Sequence, residues 1–136
     1  MGFVFAFELH GAVIGTLRLV PMHRGLTSLE KLLQQKQLIA PASCQGSWEI
    51  GRLVLNPDYR SGPDLVKRCI FLGVSYLAQH TDGRNLFASC TPVLSRLYRR
   101  FGFSTIANNL RVDGADESYA LIHGHVPDIL KSSACP

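Results

Sequence analysis

Aromatic and β-branched residues dominate Phe3 to Glu8 and again Ala12 to Val20, with Leu9-His10-Gly11 between the two runs. Such runs have strand composition, and a glycine in so short a connection supplies the positive φ of a tight turn, so the segment predicts a β-hairpin. Pro21 to Ser28 reads as a loop around Gly25. Ser28-Leu29-Glu30-Lys31 then opens a short helical stretch to Gln37, with Leu29, Leu32 and Leu33 on one face. After a second loop, Pro41 to Ser47, the run Trp48 to Leu55 is the clearest strand. Asn56-Pro57 ends it, because proline has no N–H to give to a ladder.

A loop to Gly62 leads into Pro63 and Asp64, residue types that suit a helix's first turn. Leu65, Val66, Cys69, Ile70, Leu72, Val74, Tyr76 and Leu77 then recur at helical spacing up to His80. This predicts the longest helix, laid over a sheet. Asp82-Gly83 turns the chain into a strand over Asn85 to Cys90. Thr91-Pro92 is an N-cap and first-turn pair, followed by the stripe Val93, Leu94, Leu97 and Phe101, which Gly102 terminates. Phe103 to Val112 and Glu117 to Ile122 read as strands around the turn signal Asp113-Gly114, and Val126 to Pro136 as a tail with one turn of helix. Hairpins at both ends with strand–helix alternation between them predict an α/β (α+β) fold, a mixed and mostly antiparallel sheet with helices packed on it.

At 136 residues and 46% apolar composition the chain is expected to form one domain, 1–136, with enough core to need neither disulfides nor a structural metal. The formal charge of +4 favours anionic partners, among them phosphate-bearing cofactors and acidic carrier proteins. No basic stripe with interleaved aromatics marks a nucleic-acid surface. Cys44, Cys69, Cys90 and Cys135 form no Cys-x-x-Cys pair, which reads as reduced thiols in the cytoplasm. No segment has the build of a signal peptide or of a membrane span.

The run Trp48-Glu49-Ile50-Gly51-Arg52-Leu53-Val54-Leu55-Asn56-Pro57-Asp58-Tyr59-Arg60-Ser61-Gly62, then an amphipathic helix, then Leu97-Tyr98-Arg99-Arg100-Phe101-Gly102-Phe103, resembles the GNAT acyltransferase superfamily over roughly Phe3 to Gly124. Gly15-Thr16-Leu17-Arg18-Leu19-Val20-Pro21 followed by Trp48-Glu49-Ile50-Gly51-Arg52 is similar to the acyl-homoserine-lactone synthases and the related N-acyl amino acid synthases. It departs from the lactone synthases at Gly51, where they usually have serine. The resemblance implies splayed central strands forming a donor cleft. It also implies an N-acyltransferase that moves an acyl group from acyl-CoA, or from an acyl-phosphopantetheine on an acyl carrier protein, to a small-molecule amine by direct attack.

Within that reading, a strand that splays from its neighbour after Leu53 leaves amides, those of Val54 or Leu55, to hold a thioester carbonyl and its oxyanion. The turn Arg60, Ser61, Gly62 and Asp64 at the start of the long helix presents amides to an anion. This turn is shorter than the family's phosphate loop, Pro63 brings no N–H, and Asp64 brings negative charge, which weighs against tight binding of CoA and leaves a carrier-protein donor open. By the same resemblance Glu49 is the candidate general base and Tyr98 the candidate acid for the leaving thiolate. Arg18 and Arg52, set in apolar strands, are candidates to bind the acceptor's carboxylate or headgroup.

Blander readings stand beside these. Glu49 pairs with Arg18 or Arg52 across strands, Tyr98 is a rim residue of the core, Arg96, Arg99 and Arg100 form a solvated face favourable at a helix C-terminus, and Cys90 is a buried thiol. His123 and His125 would share a strand face as a metal pair does, but lack a third ligand, and no metal is expected. The hairpin begins at residue 3, without the strand and helices expected before it in the GNAT fold, so the expectation is either a truncated or cassette-like chain or another subunit that supplies the missing wall. On the second account a homodimer covering the open edge is expected, and no nucleic-acid or membrane partner is expected on either. A catalytically inactive protein of the same fold that binds or senses acyl-thioesters or CoA is the alternative function.

Overall fold

The computed structural model describes residues 2–22, 46–56, 63–110 and 118–134. The expected helix at 28–37, the loop residues Arg60, Ser61 and Gly62, and the turn Asp113-Gly114 lie outside them. The elements in chain order are β1 (Phe3–Leu9), β2 (Ala12–Pro21), β3 (Ser47–Leu55), α1 (Pro63–His80), β4 (Asn85–Cys90), α2 (Pro92–Arg99), β5 (Phe103–Leu110), β6 (Tyr119–His125) and α3 (Val126–Ser133). The six described strands form one sheet in the order β1-β2-β3-β4-β6-β5.

Local chemistry explains most boundaries. His10 and Gly11 both take positive φ, 51° and 82°, and join Leu9 to its partner Ala12 by the tight two-residue turn whose twist matches the flanking strands. Thr91 caps α2 by accepting from Leu94 N at 3.3 Å, with Pro92 in the first turn. Gly102 stops α2 at φ 94°. A Cβ there would come within 2.9 Å of the Asp128 carbonyl oxygen and of the Ile129 Cα, so the glycine both turns the chain and lets α3 approach. The C-terminal segment differs from the expected tail: β6 runs on to His125, and α3 has eight residues. Val126, Ile129 and Ser133 are its buried residues, and that amphipathic spacing, rather than a side-chain cap, holds it on the core.

Alternation along the strands divides the sheet into two faces. On one, Leu17, Leu19, Ile50, Leu86, Ala88 and Ile122 pack with Ile70, Val74 and Leu77 of α1 and with Val126 and Ile129 of α3, while Leu97 and Tyr98 of α2 close the same core. On the other, Met22, Phe87 and Leu121 form a smaller cluster with Ile106, Ala107 and Leu110 of β5. The register of β5 against β6 shifts at Thr105/Ala107 and again at Ala107/Leu110, the bulges that bend this edge strand. No described helix is long and apolar enough to cross a membrane.

Candidate active site

All adjacent strand pairs are antiparallel except β3 and β4, which run parallel and pair only at Ser47↔Asn85, Trp48↔Leu86 and Glu49↔Phe87. Beyond that point β3 continues beside β2 and β4 continues beside β6, so the sheet opens as a V. The sequence suggested parting after Leu53. The ladder in fact stops four residues earlier, after Glu49, because register ends it and no change in the apolar run Ile50 to Leu55 marks the place. Further along, β3 takes three steps from Gly51 to Val54 where β2 takes two from Arg18 to Thr16, a bulge that bends β3. The β3 amides that point away from β2 over Ile50 to Leu55 have no ladder partner in β4 and face the opening.

The opening holds a cleft of about 200 Å³. Leu17, Ile50, Ala88, Phe103 and Ile122 make its apolar walls, Gly51 and Leu53 its β3 side, Ser89, Cys90 and Thr91 its β4 side, and Leu94, Tyr98 and Tyr119 its outer rim. Tyr98 comes from α2, its ring 5.7 Å from Phe103. Burial, with Cys90 as the second cause, pushes its hydroxyl up to about 12, and burial pushes the Cys90 thiol up to about 11. Both groups therefore hold their protons throughout the neutral range.

Glu49 belongs to the last β3–β4 pair and does not itself line the cleft. Its neighbours Trp48 and Ile50 pack on the helix side, so its carboxyl group lies on the other face, with Oε2 buried. Glu49 and Tyr98 thus approach the V from opposite faces of the sheet. Arg18 is half-buried and lies opposite Gly51, a diagonal neighbour of Glu49 on that second face. Of the other candidates, Leu53 lines the cleft, Val54 is 58% exposed opposite Thr16, and Leu55 is buried opposite Gly15. Asp64 is exposed in the first turn of α1. The side chain of Arg52 lies outside the described residues.

In the sequence Cys90 reads as a core thiol, Gly51 only as a departure from the lactone synthases, and Ser89 and Tyr119 carry no signal. Strand alternation marks which face each occupies, but their meeting depends on β6 lying between β4 and β5. His123 binds Asn85 Oδ1 through Nε2 at 2.9 Å, and its ring stands edge-on to His125. Burial, and next His125, lowers its pKa. Among the described residues no three His, Cys, Asp or Glu gather. A larger cavity of about 400 Å³ lies between the end of β1 and α1, bounded by Phe7, Ile14, Leu65 and Leu72, where no strands part.

A family model described as N-acyl amino acid synthase FeeM matches residues 2–125. Among solved structures, the acyl-homoserine lactone synthase LasI matches with TM-score 0.71 at 17% identity, over 92% of this chain and 64% of that one. FeeM, an N-acyl amino acid synthase from uncultured soil microbes, matches with TM-score 0.72 at 13% identity, over 93% and 68%. MesI, a CoA-dependent acyl-homoserine lactone synthase, matches with TM-score 0.64 at 20% identity, over 93% and 64%. N-acetyltransferases match as well, and the fold is that of the GNAT superfamily. The chain spans a little under two thirds of LasI and MesI. No curated protein sequence matches.

Proposed function

From the premise that this chain belongs to the N-acyl amino acid synthase FeeM family, we propose that it transfers an acyl group from a thioester to the amine of an amino acid or similar small molecule. The observation that carries this is the parting of β3 from β4, which leaves backbone amides facing an apolar cleft beside a protonated tyrosine. A thioester in the cleft places its carbonyl oxygen against a β3 amide that points away from β2, that of Val54 or Leu55, which stabilises the oxyanion when the amine attacks the carbonyl carbon. Glu49, on the opposite face, receives the amine's proton directly or through water. Collapse of the intermediate expels the thiolate on the side of Tyr98, whose hydroxyl donates to the departing sulfur.

Arg18, on the face of Glu49, is the partner for the acceptor's carboxylate, with Arg52 next in sequence to Gly51, the residue opposite Arg18. An acyl carrier protein is the preferred donor over free CoA. Asp64 sets negative charge in the first turn of α1, where a pyrophosphate would sit, whereas Arg96 and Arg99 of α2 and Arg100 at its C-cap are near in sequence to the cleft-lining Leu94 and Tyr98 and suit an acidic carrier. A homodimer through β1, the terminal strand of the described sheet, with Val4 77% exposed, and a cytoplasmic location complete the proposal. Mass spectrometry after incubation with octanoyl-pantetheine and a mixture of amino acids tests it. An N-octanoyl amino acid and an equal amount of free thiol are expected. Binding of the thioester without product would instead support the inactive acyl-thioester-binding protein.

A further inference from the structure

Glycine inside a strand weakens it, and where it occurs it marks a bulge, the close approach of another stretch of backbone, or the close approach of a ligand. Gly51 lies two residues beyond the last β3–β4 pair, where the bulge of β3 begins. Its φ is outside the positive region, so the bulge does not require glycine there. A Cβ built on it meets no atom within 4 Å, so no neighbouring protein atom requires glycine either. Gly15 on β2 is the contrast: a Cβ there would come within 2.6 Å of the Leu55 side chain and 3.0 Å of the Val54 carbonyl oxygen. Room for a ligand is the reason that remains at Gly51.

Gly51 is directly opposite Arg18, and Glu49 is two positions back on the same strand, so the open space over Gly51 is on the face of those two side chains and away from the helix side. Opposite residues on one face stand about 4.5–5.5 Å apart at Cβ, so a branched side chain at position 51 would press against the stem of Arg18. Resting on the acceptor reading above, we propose that Gly51 selects the acceptor: an amine with a neighbouring carboxylate lies across its bare backbone, the carboxylate on Arg18 and the amine at Glu49. A cation at one end of the span and an anion at the other match the two charges of an α-amino acid, whereas a plain amine uses only one end. Gly51 also lines the cleft where β3 and β4 have parted, so an amine held at this point is beside the opening that leads to the thioester. The buried walls Leu17, Ile50, Ala88 and Ile122 are on the helix side, out of reach of a side chain added at 51.

The test compares the wild-type chain with Gly51→Ala and Gly51→Val, with the melting temperature of each protein measured alone. Octanoyl-pantetheine is the donor, and its affinity is measured without acceptor. The acceptors are the amino acid that gives most product from the mixture above and the same amine without its carboxyl group. Lifting the amino acid off this floor breaks at least one hydrogen bond to a charged group, so its KM should rise roughly 10- to 150-fold in Gly51→Val and less in Gly51→Ala. The rate with the plain amine and the affinity for the donor should hold, and both variants should melt at or above the wild type. An unchanged KM for the amino acid, an equal loss with the plain amine, a loss of donor affinity, or a variant that unfolds overturns the inference while the acceptor reading stands. A wild type that binds the thioester and acylates no amino acid overturns both.

Discussion

Removing the Tyr98 hydroxyl separates its chemical role from its packing role. Burial pushes that hydroxyl up to about 12, so it is a weak acid beside a thiolate whose ordinary pKa is about 8.5. Full proton transfer in the transition state is uphill. What remains is a hydrogen bond to a charged sulfur, worth about 1.5–3 kcal/mol, or roughly 10- to 150-fold in rate. Tyr98→Phe should therefore lower turnover about 10- to 150-fold with donor affinity nearly unchanged. The ring keeps its contact with Phe103, so the melting temperature should move little. Initial rates of thiol release, followed with a chromogenic thiol reagent, read the effect directly. Because Tyr98 titrates near 12, it contributes no falling limb to the pH–rate profile below about pH 10. A Tyr98→Phe rate within about twofold of wild type would refute the hydrogen-bond role. So would a limb near pH 10 that disappears in the variant.

Gly102→Ala should cost more than about 2 kcal/mol in denaturant unfolding, since positive φ alone costs about 1–2 and the added Cβ meets the backbone of α3. Gly11→Ala, at φ 82° but in open space, should cost only the conformational part. Thr91→Ala removes a long cap bond of 3.3 Å and should cost about 0.5–1 kcal/mol by the same measurement. His123 is held below its ordinary pKa of about 6.5 by burial and then by His125, so the fold favours its neutral form. That stability is fully present above about pH 6.5 and is lost as pH falls through the folded pKa, so melting temperatures measured from pH 7.5 downward should fall less in His123→Gln than in wild type.

Periodicity made most of the fold legible. The apolar set from Leu65 to Leu77 predicts the helix that the structure places at Pro63–His80, and Thr91-Pro92 predicts the start of α2. Leu9-His10-Gly11 predicts the hairpin turn by backbone chemistry alone. The point of parting was not legible, because Trp48 to Leu55 is one strand by composition and only register against β4 says where pairing stops. The same holds for the walls of the cleft. Ala88 and Ile122 look like ordinary core residues, and Cys90 and Tyr119 meet only because β6 inserts between β4 and β5. α3 reads as only one turn in the sequence because no side-chain bond caps its start and its eight residues give too short an amphipathic run to set a helix apart from a tail; packing on the core stabilises it.

The claim on which the account rests is that the acyl thioester lies in the V between β3 and β4, and photolabelling tests it most directly. An octanoyl-pantetheine carrying a photoreactive group near the end of its chain, irradiated with the protein and mapped by peptide mass spectrometry, should label the cleft walls Leu17, Ile50, Ala88 and Ile122. Unlabelled octanoyl-pantetheine in excess should suppress that labelling. Saturable labelling confined to Phe7, Ile14, Leu65 and Leu72 would instead place the ligand in the larger cavity between β1 and α1, and would contradict the account.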